Sequence, residues 1–171
     1  SSWDVGNVTD MERMFYATPF NQNVSDWNVS NVTNMTGMFQ SANEFNQDIS
    51  GWDVSSVTRL AQMFGPSQSF NQDISGWDVS NVTQMENLFS GAISFNQNLS
   101  NWNISNVINM EYMFEGASGL SDENRCSIQN SFSLNNAWPY DWSEFCSFTV
   151  VINVPDDYPT IQTAIDSSED G

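Results

Sequence analysis

"FNQDISGWDVSNVTQMENLFSGA", residues 70–92, repeats nearly letter for letter what "FNQDISGWDVSSVTRLAQMF" has just said over residues 45–64. Working outward from this pair exposes one period. Trp stands at positions 3, 27, 52, 77 and 102, and Phe at 15, 39, 64, 89 and 114. A second set follows at Phe20, Phe45, Phe70 and Phe95, with Leu120 in the fifth place. The step is about 25 residues, a length that marks a stack of supersecondary units. Only "YATPF", residues 16–20, is a residue short of its counterparts, as a loop tolerates.

Each unit reads as two halves. In "ISGWDV", residues 49–54, Trp52 and Val54 alternate with Asp53 after a Ser-Gly turn signal, which predicts a short strand. In "SNVTNMTGMF", residues 30–39, Val32, Met35, Met38 and Phe39 share one face of a short helix, with Ser30 or Thr33 as its N-terminal acceptor. The expected fold class is therefore an α/β solenoid of about five coils. Each coil is a short parallel strand plus a short helical turn, with like residues stacked at about 4.8 Å. No coil can bury its own Trp and Phe, so the recurring apolar letters are core letters.

Composition narrows the function classes. The chain has 171 residues, 21 Asp+Glu and 3 Lys+Arg, for a formal net charge of -18. All cations are Arg (Arg13, Arg59, Arg125), and His is absent. Such a polyanion does not suit nucleic acid phosphates or an acidic membrane surface, and no apolar run is long enough to span a bilayer. The lack of His removes the commonest general base and metal ligand. Cys126 and Cys146 could form one bridge, favouring an oxidising compartment, or remain two buried thiols. The chain opens on Ser1-Ser2-Trp3, which suggests a piece of a longer protein.

The phrase "MFxxAxxFNQDISxWDVSNVTxM" resembles the 25/26-residue repeat of bacterial surface proteins and lipoproteins, relatives of the BspA-like leucine-rich repeats. The likeness covers residues 3 to about 118, with departures at Gly6, Leu60, Leu88, Pro66 and Ile108. It implies a leucine-rich-repeat-like, extracellular or cell-surface protein used in adhesion, without catalysis. The stretch from Leu120 to Cys146 resembles a region that often follows such arrays. Its Phe132, Trp138, Tyr140, Trp142 and Phe145 suit a cap over the last coil. "VINVPDDYPTIQTAID", residues 151–166, resembles the opening of pectate-lyase-type parallel β-helices. The expected domains are residues 1–119 for the repeats, 120–148 for the cap and 149–171 for the start of a further module.

Candidate sites lie on the polar columns. Asp48 and Asp73 stand in one column and Asp53 and Asp78 in another, where neighbouring coils carry Asn. Stacked carboxylates repel, and Ca²⁺ bridging them would relieve that; otherwise they are turn formers bonding their own backbone. The Thr row at 9, 33, 58 and 83 could order water or ice, but its place suits backbone bonding better. Sequons occur at Asn7, Asn23, Asn28, Asn31, Asn34, Asn81, Asn98 and Asn103, mostly because the repeat spells them. Asp141 and Glu144 are the only close acids among clustered aromatics, and they read as solvated loop charges.

The expected function is an extracellular binding module for protein or glycan ligands, not an enzyme, needing no cofactor, with Ca²⁺ as an option. Two alternatives stand beside it: a filament block associating end to end, and the non-catalytic arm of a larger secreted β-helix enzyme.

Overall fold

The computed structural model describes residues 3–146. The expected further module, residues 149–171, lies outside the described residues. Within them the inward columns of the period form one apolar core. Phe39, Phe64 and Phe89 are fully buried and stack in file, with ring centroids 6.0 and 5.8 Å apart. Phe45, Phe70 and Phe95 make a second file at 6.1 Å per step. Within each coil the two files meet face to face, at 3.7 Å for Phe39–Phe45 and 3.8 Å for Phe64–Phe70. Such contacts add to the area each ring buries. The indole N–H of Trp52, Trp77 and Trp102 donates to the carbonyls of Val24, Ile49 and Ile74, at 3.0, 3.1 and 3.0 Å. A buried Trp thus has its one polar atom satisfied by the coil before it.

The α/β class is corrected. Among the described residues the repeats contain no helix, and their only β pairing is a file of isolated parallel bridges, Asp10↔Asn34, Asn34↔Arg59, Arg59↔Gln84 and Gln84↔Asn109. The bridges also run through the half read as helical, while "ISGWDV" carries a turn, Trp52 N–H to Ile49 C=O at 3.1 Å. The backbone chemistry explains why. The N–H groups of Met35, Gly37, Phe39 and Ser41 donate to the carbonyls of Arg59, Ala61, Met63 and Gly65 in the next coil, at 2.8–3.1 Å. The intervening N–H groups close tight local turns: Met38 to Met35, Gln40 to Gly37 and Ala42 to Phe39. A helix would need every N–H for its own i−4 carbonyl, and here alternate ones leave for the neighbouring coil. Gly37 and Ser41 have φ near +60°, the left-handed conformation that turns the next amide outward. Each coil is therefore a chain of consecutive turns.

The cap closes the last coil. Ser121 caps helix α1 (Asp122–Phe132) by accepting the Asn124 N–H at 3.3 Å, and Ile128 and Phe132 join the core. Trp142, Trp138 and Tyr140 pack on Phe114, with centroids 5.4, 6.2 and 6.4 Å away. The Tyr140 hydroxyl accepts the Phe114 N–H at 2.9 Å, an amide that earlier coils hand to a following coil. Burial raises the Tyr140 phenol above its ordinary value, so it remains neutral there. Cys126 and Cys146 are joined as a disulfide, Cα–Cα 4.8 Å, tying α1 to a 3₁₀ turn at Ser143–Cys146.

Candidate functional site

The letters that recur in every coil are spent on structure. Asn21, Asn46, Asn71 and Asn96 form a ladder absent from the sequence reading. Each side-chain Oδ1 accepts a backbone N–H from the next coil, from Asn46, Asn71, Asn96 and Ser121 at 3.1, 2.9, 2.8 and 2.9 Å. The Gln that follows adds a second bond, as when Gln97 Nε2 donates to Asn71 Oδ1 at 2.7 Å. The ladder ends in the cap, where Asn124 Nδ2 donates to Asn96 Oδ1 at 2.8 Å. The recurrence of Asn-Gln after each Phe was the signal for it.

Each Asp of the two carboxylate columns closes its own turn. Asp48 accepts from Ser50 N–H at 2.9 Å and Oγ at 2.7 Å, and Asp53 from Ser55 at 3.1 and 2.6 Å. Asp73 and Asp78 accept the N–H of Ser75 and Ser80 at 2.9 and 3.0 Å. Hydrogen bonds from the following serine hold all four carboxyls below their ordinary value, most through the side chain and then through the backbone. Among the described residues no group of three or more Asp, Glu, Cys or His is arranged to hold a metal. Two carboxylates per column, each with one oxygen already used, fall short of the roughly six to eight oxygens Ca²⁺ takes.

These depressed values make a pH prediction. A carboxyl whose folded pKa lies below its unfolded value stabilises the fold above that unfolded value, 3.8 here, and ceases to as pH falls through the folded one. Asn already fills these columns at positions 23, 28, 98 and 103 and closes the same turns, as Asn98 does with Ser100 at 3.0 Å. Replacing Asp48, Asp53, Asp73 and Asp78 together with Asn should leave the neutral-pH melting temperature nearly unchanged. It should flatten the decline below pH 3.8. Thermal melts from pH 7 to 2.5 read it, and parallel curves for the two proteins would refute it.

The other polar candidates are also placed. Thr33, Thr58 and Thr83 donate their hydroxyls to the preceding Thr carbonyl at 3.2, 3.1 and 3.2 Å. Among the sequons, Asn34 is buried, and its Nδ2 donates to Asp10 and Glu12. The Nδ2 atoms of Asn31 and Asn81 are held by Gly6 and Ser55 carbonyls, whereas Asn7, Asn23, Asn28, Asn98 and Asn103 are exposed. Asp141 accepts the Ser143 N–H at 3.1 Å, and Glu144 is exposed.

The letters that do not recur gather on the outer side of the bridged segment. One column reads Glu12, Thr36, Ala61, Glu86, Glu111; the next reads Arg13, Gly37, Gln62, Asn87, Tyr112. Every member of the second column has φ between 54 and 60°, although only one is Gly. A left-handed conformation costs a non-Gly residue roughly 1 kcal/mol or more. Two shallow clefts open on this face. The first, about 340 Å³, holds Glu12, Arg59 and Glu86; the second, about 150 Å³, holds Gln40, Gln62 and Asn87. The buried side-chain oxygens that lack a partner among the described residues, Gln40 Oε1 and Glu86 Oε2, line one cleft each. Arg13 sits over the Tyr16 ring at 5.6 Å, and Tyr16 and Tyr112 are 49% and 60% exposed. This variable face combines charge, aromatic area and unmet acceptors. A comparison of the coils for what differs between them would have found it in the sequence.

Among known proteins, no curated protein matches the chain, and no solved structure does. A family model matches twice in overlapping segments, residues 1–82 and 48–138, as a repeat array does. The BspA-like repeats are related to it, while the resemblance of residues 151–166 to parallel β-helices finds no support, that stretch lying beyond both matched segments. With most of its length matched, the chain belongs to the family described as Mycoplasma protein of unknown function, DUF285.

Proposed function

We propose that the chain is an extracellular or cell-surface binding module that holds a protein or glycan ligand along its variable face, without catalysis. One observation carries this reading. Side chains as different as Arg13, Gln62, Asn87 and Tyr112 are kept at a backbone position that Gly37 fills without strain. A purely structural column would drift toward Gly, as strained positions persist where they serve a function. The disulfide suits an oxidising exterior. The aromatic cap on the last coil weighs against filaments grown by stacking coil on coil.

The test exploits the strain. Replacing Gln62 and Tyr112 together with Gly should stabilise the fold by about 1 kcal/mol. The same variant should lose at least roughly tenfold in affinity for whatever the parent captures from an array of glycans and surface proteins. A variant that melts higher and binds as well as the parent would sink the reading, as would a parent that captures nothing at micromolar concentration.

A further inference from the structure

We propose that the cleft between the fifth coil and the cap binds an extended, uncharged peptide of a partner protein carrying Asn, an apolar residue and Thr in sequence. This goes beyond the variable face and uses none of its residues. The second, fourth and fifth coils each cover two carbonyls of the coil before, whereas the third, with Ser56 in the Asn place, covers only the Thr33 carbonyl. Asn81 and Asn106 donate Nδ2 to the Ser55 and Ser80 carbonyls, both at 2.8 Å. Thr58, Thr83 and Ile108 donate N–H to the carbonyls of Thr33, Thr58 and Thr83, at 2.9, 2.9 and 3.0 Å. The fifth coil's counterparts, the Ser105 and Ile108 carbonyls, have no partner among the described residues.

Where a sixth coil would cover them lies an open cleft of about 700 Å³ instead, lined by Ser105 and Ile108 on one side and Leu134 and Asn136 on the other. The cap holds the inner edge, with Asn135 Nδ2 donating to the Ile104 and Val107 carbonyls at 2.7 and 3.0 Å, and leaves that corner open. Every lining residue is uncharged in a chain of net charge -18. Ile108 and Leu134, 71% and 88% exposed, are the most exposed large apolar side chains among the described residues, and both border this cleft.

The occupant has to donate to Ser105, donate to Ile108 and cover apolar surface between them. The second and fourth coils meet that requirement internally with Asn-Val-Thr and the fifth with Asn-Val-Ile, so the site continues an interface the molecule already uses. An extended peptide adding to an unpaired backbone edge is an established recognition mode. A charged occupant would be desolvated without a countercharge.

The experiment is calorimetric titration of the intact chain with the terminally blocked hexapeptide Ser-Asn-Val-Thr-Gln-Met, the sequence of residues 80–85. Saturable one-to-one binding is expected. It should weaken roughly tenfold for Leu134→Asp, and by a similar factor when Leu replaces the peptide's Asn. Ile93→Asp, an exposed apolar site away from the cleft, should bind as the parent does, and circular dichroism melts should coincide for all three proteins. No saturable binding at millimolar peptide, or equal affinity for Leu134→Asp and the parent, overturns the proposal. Self-association of the parent that Leu134→Asp abolishes would assign the cleft to a second copy and overturn it too.

Discussion

Phe64→Ala should destabilise the protein by about 4 kcal/mol, the middle of the range for buried Phe deletions. Phe64 is fully buried at the centre of the stack, 6.0 Å from Phe39, 5.8 Å from Phe89 and 3.8 Å from Phe70. Removing its ring leaves a void bounded by other aromatic rings, which cannot collapse without breaking their own stacking. The consequence should exceed a uniform loss of stability. A repeat array is held by nearest-neighbour interfaces, so a defect in the middle coil uncouples the two coils before it from the two after it and the cap. Urea unfolding should move to a lower midpoint and broaden or split, while Phe15→Ala, in the first coil, keeps a single transition. A sharp single transition losing less than about 1 kcal/mol would show that the aromatic file does not couple the coils.

Removing the disulfide should have the next largest effect. The double substitution of Cys126 and Cys146 with Ser frees a closure spanning 20 residues, for which loop entropy gives about 3 kcal/mol. The loss should be local. The bridge joins α1 to the 3₁₀ turn, and the aromatic group covering Phe114 lies within the loop it closes. The cap should loosen first, exposing Trp138 and Trp142, while the buried Trp52, Trp77 and Trp102 keep their surroundings. Fluorescence should therefore shift red in a transition that precedes loss of the stack's own signal. Reduction of the parent with dithiothreitol should reproduce it. If reduction leaves both melting temperature and emission unchanged, the bridge contributes nothing to the cap.

The period made the core legible, and one ambiguity misled the backbone reading. Val32, Met35, Met38 and Phe39 are all buried, as their spacing required. That spacing suits one face of a helix, but it equally suits tight turns that close every two or three residues. The arbitration lies in where alternate N–H groups go, and that is set by the neighbouring coil, not by local letters. The Trp52 half looked like a strand because Val54 and Trp52 alternate with Asp53, yet its inward residues are held by an indole N–H bond and a turn. The candidate site was hidden for the opposite reason. Asp48 and Asp73 drew attention as stacked carboxylates where neighbouring coils carry Asn, yet Asn and Asp in that column close the same turns. Gln62, Glu86 and Tyr112 break the pattern, which a comparison of the coils reveals, and the structure adds the unmet acceptors Gln40 Oε1 and Glu86 Oε2 on the same face.

The one-way passage of amides between coils has a further physical consequence. In three of the four steps four N–H groups point toward the cap and their carbonyl acceptors point back; in the step from the third coil, where Pro66 has no N–H, three do. Against them runs one N–H per step, from Thr33, Thr58, Thr83 and Ile108 in turn, joined by Ser69 N–H to Asn43 between the second and third coils. Peptide dipoles aligned in this way add, as they do along a helix. The stack therefore carries a lengthwise electrostatic polarity, with the partial negative end at the carbonyls of the first coil and the partial positive end at the amides of the fifth. The sense is opposite to a helix followed in chain direction. Glu111 and Glu115 sit where that field favours an anion, while Asp10 and Glu12 sit where it does not and share the Asn34 amide at 3.1–3.3 Å. A coil added at either end lengthens one continuous dipole, so the order of coils carries a direction that their nearly identical sequences do not.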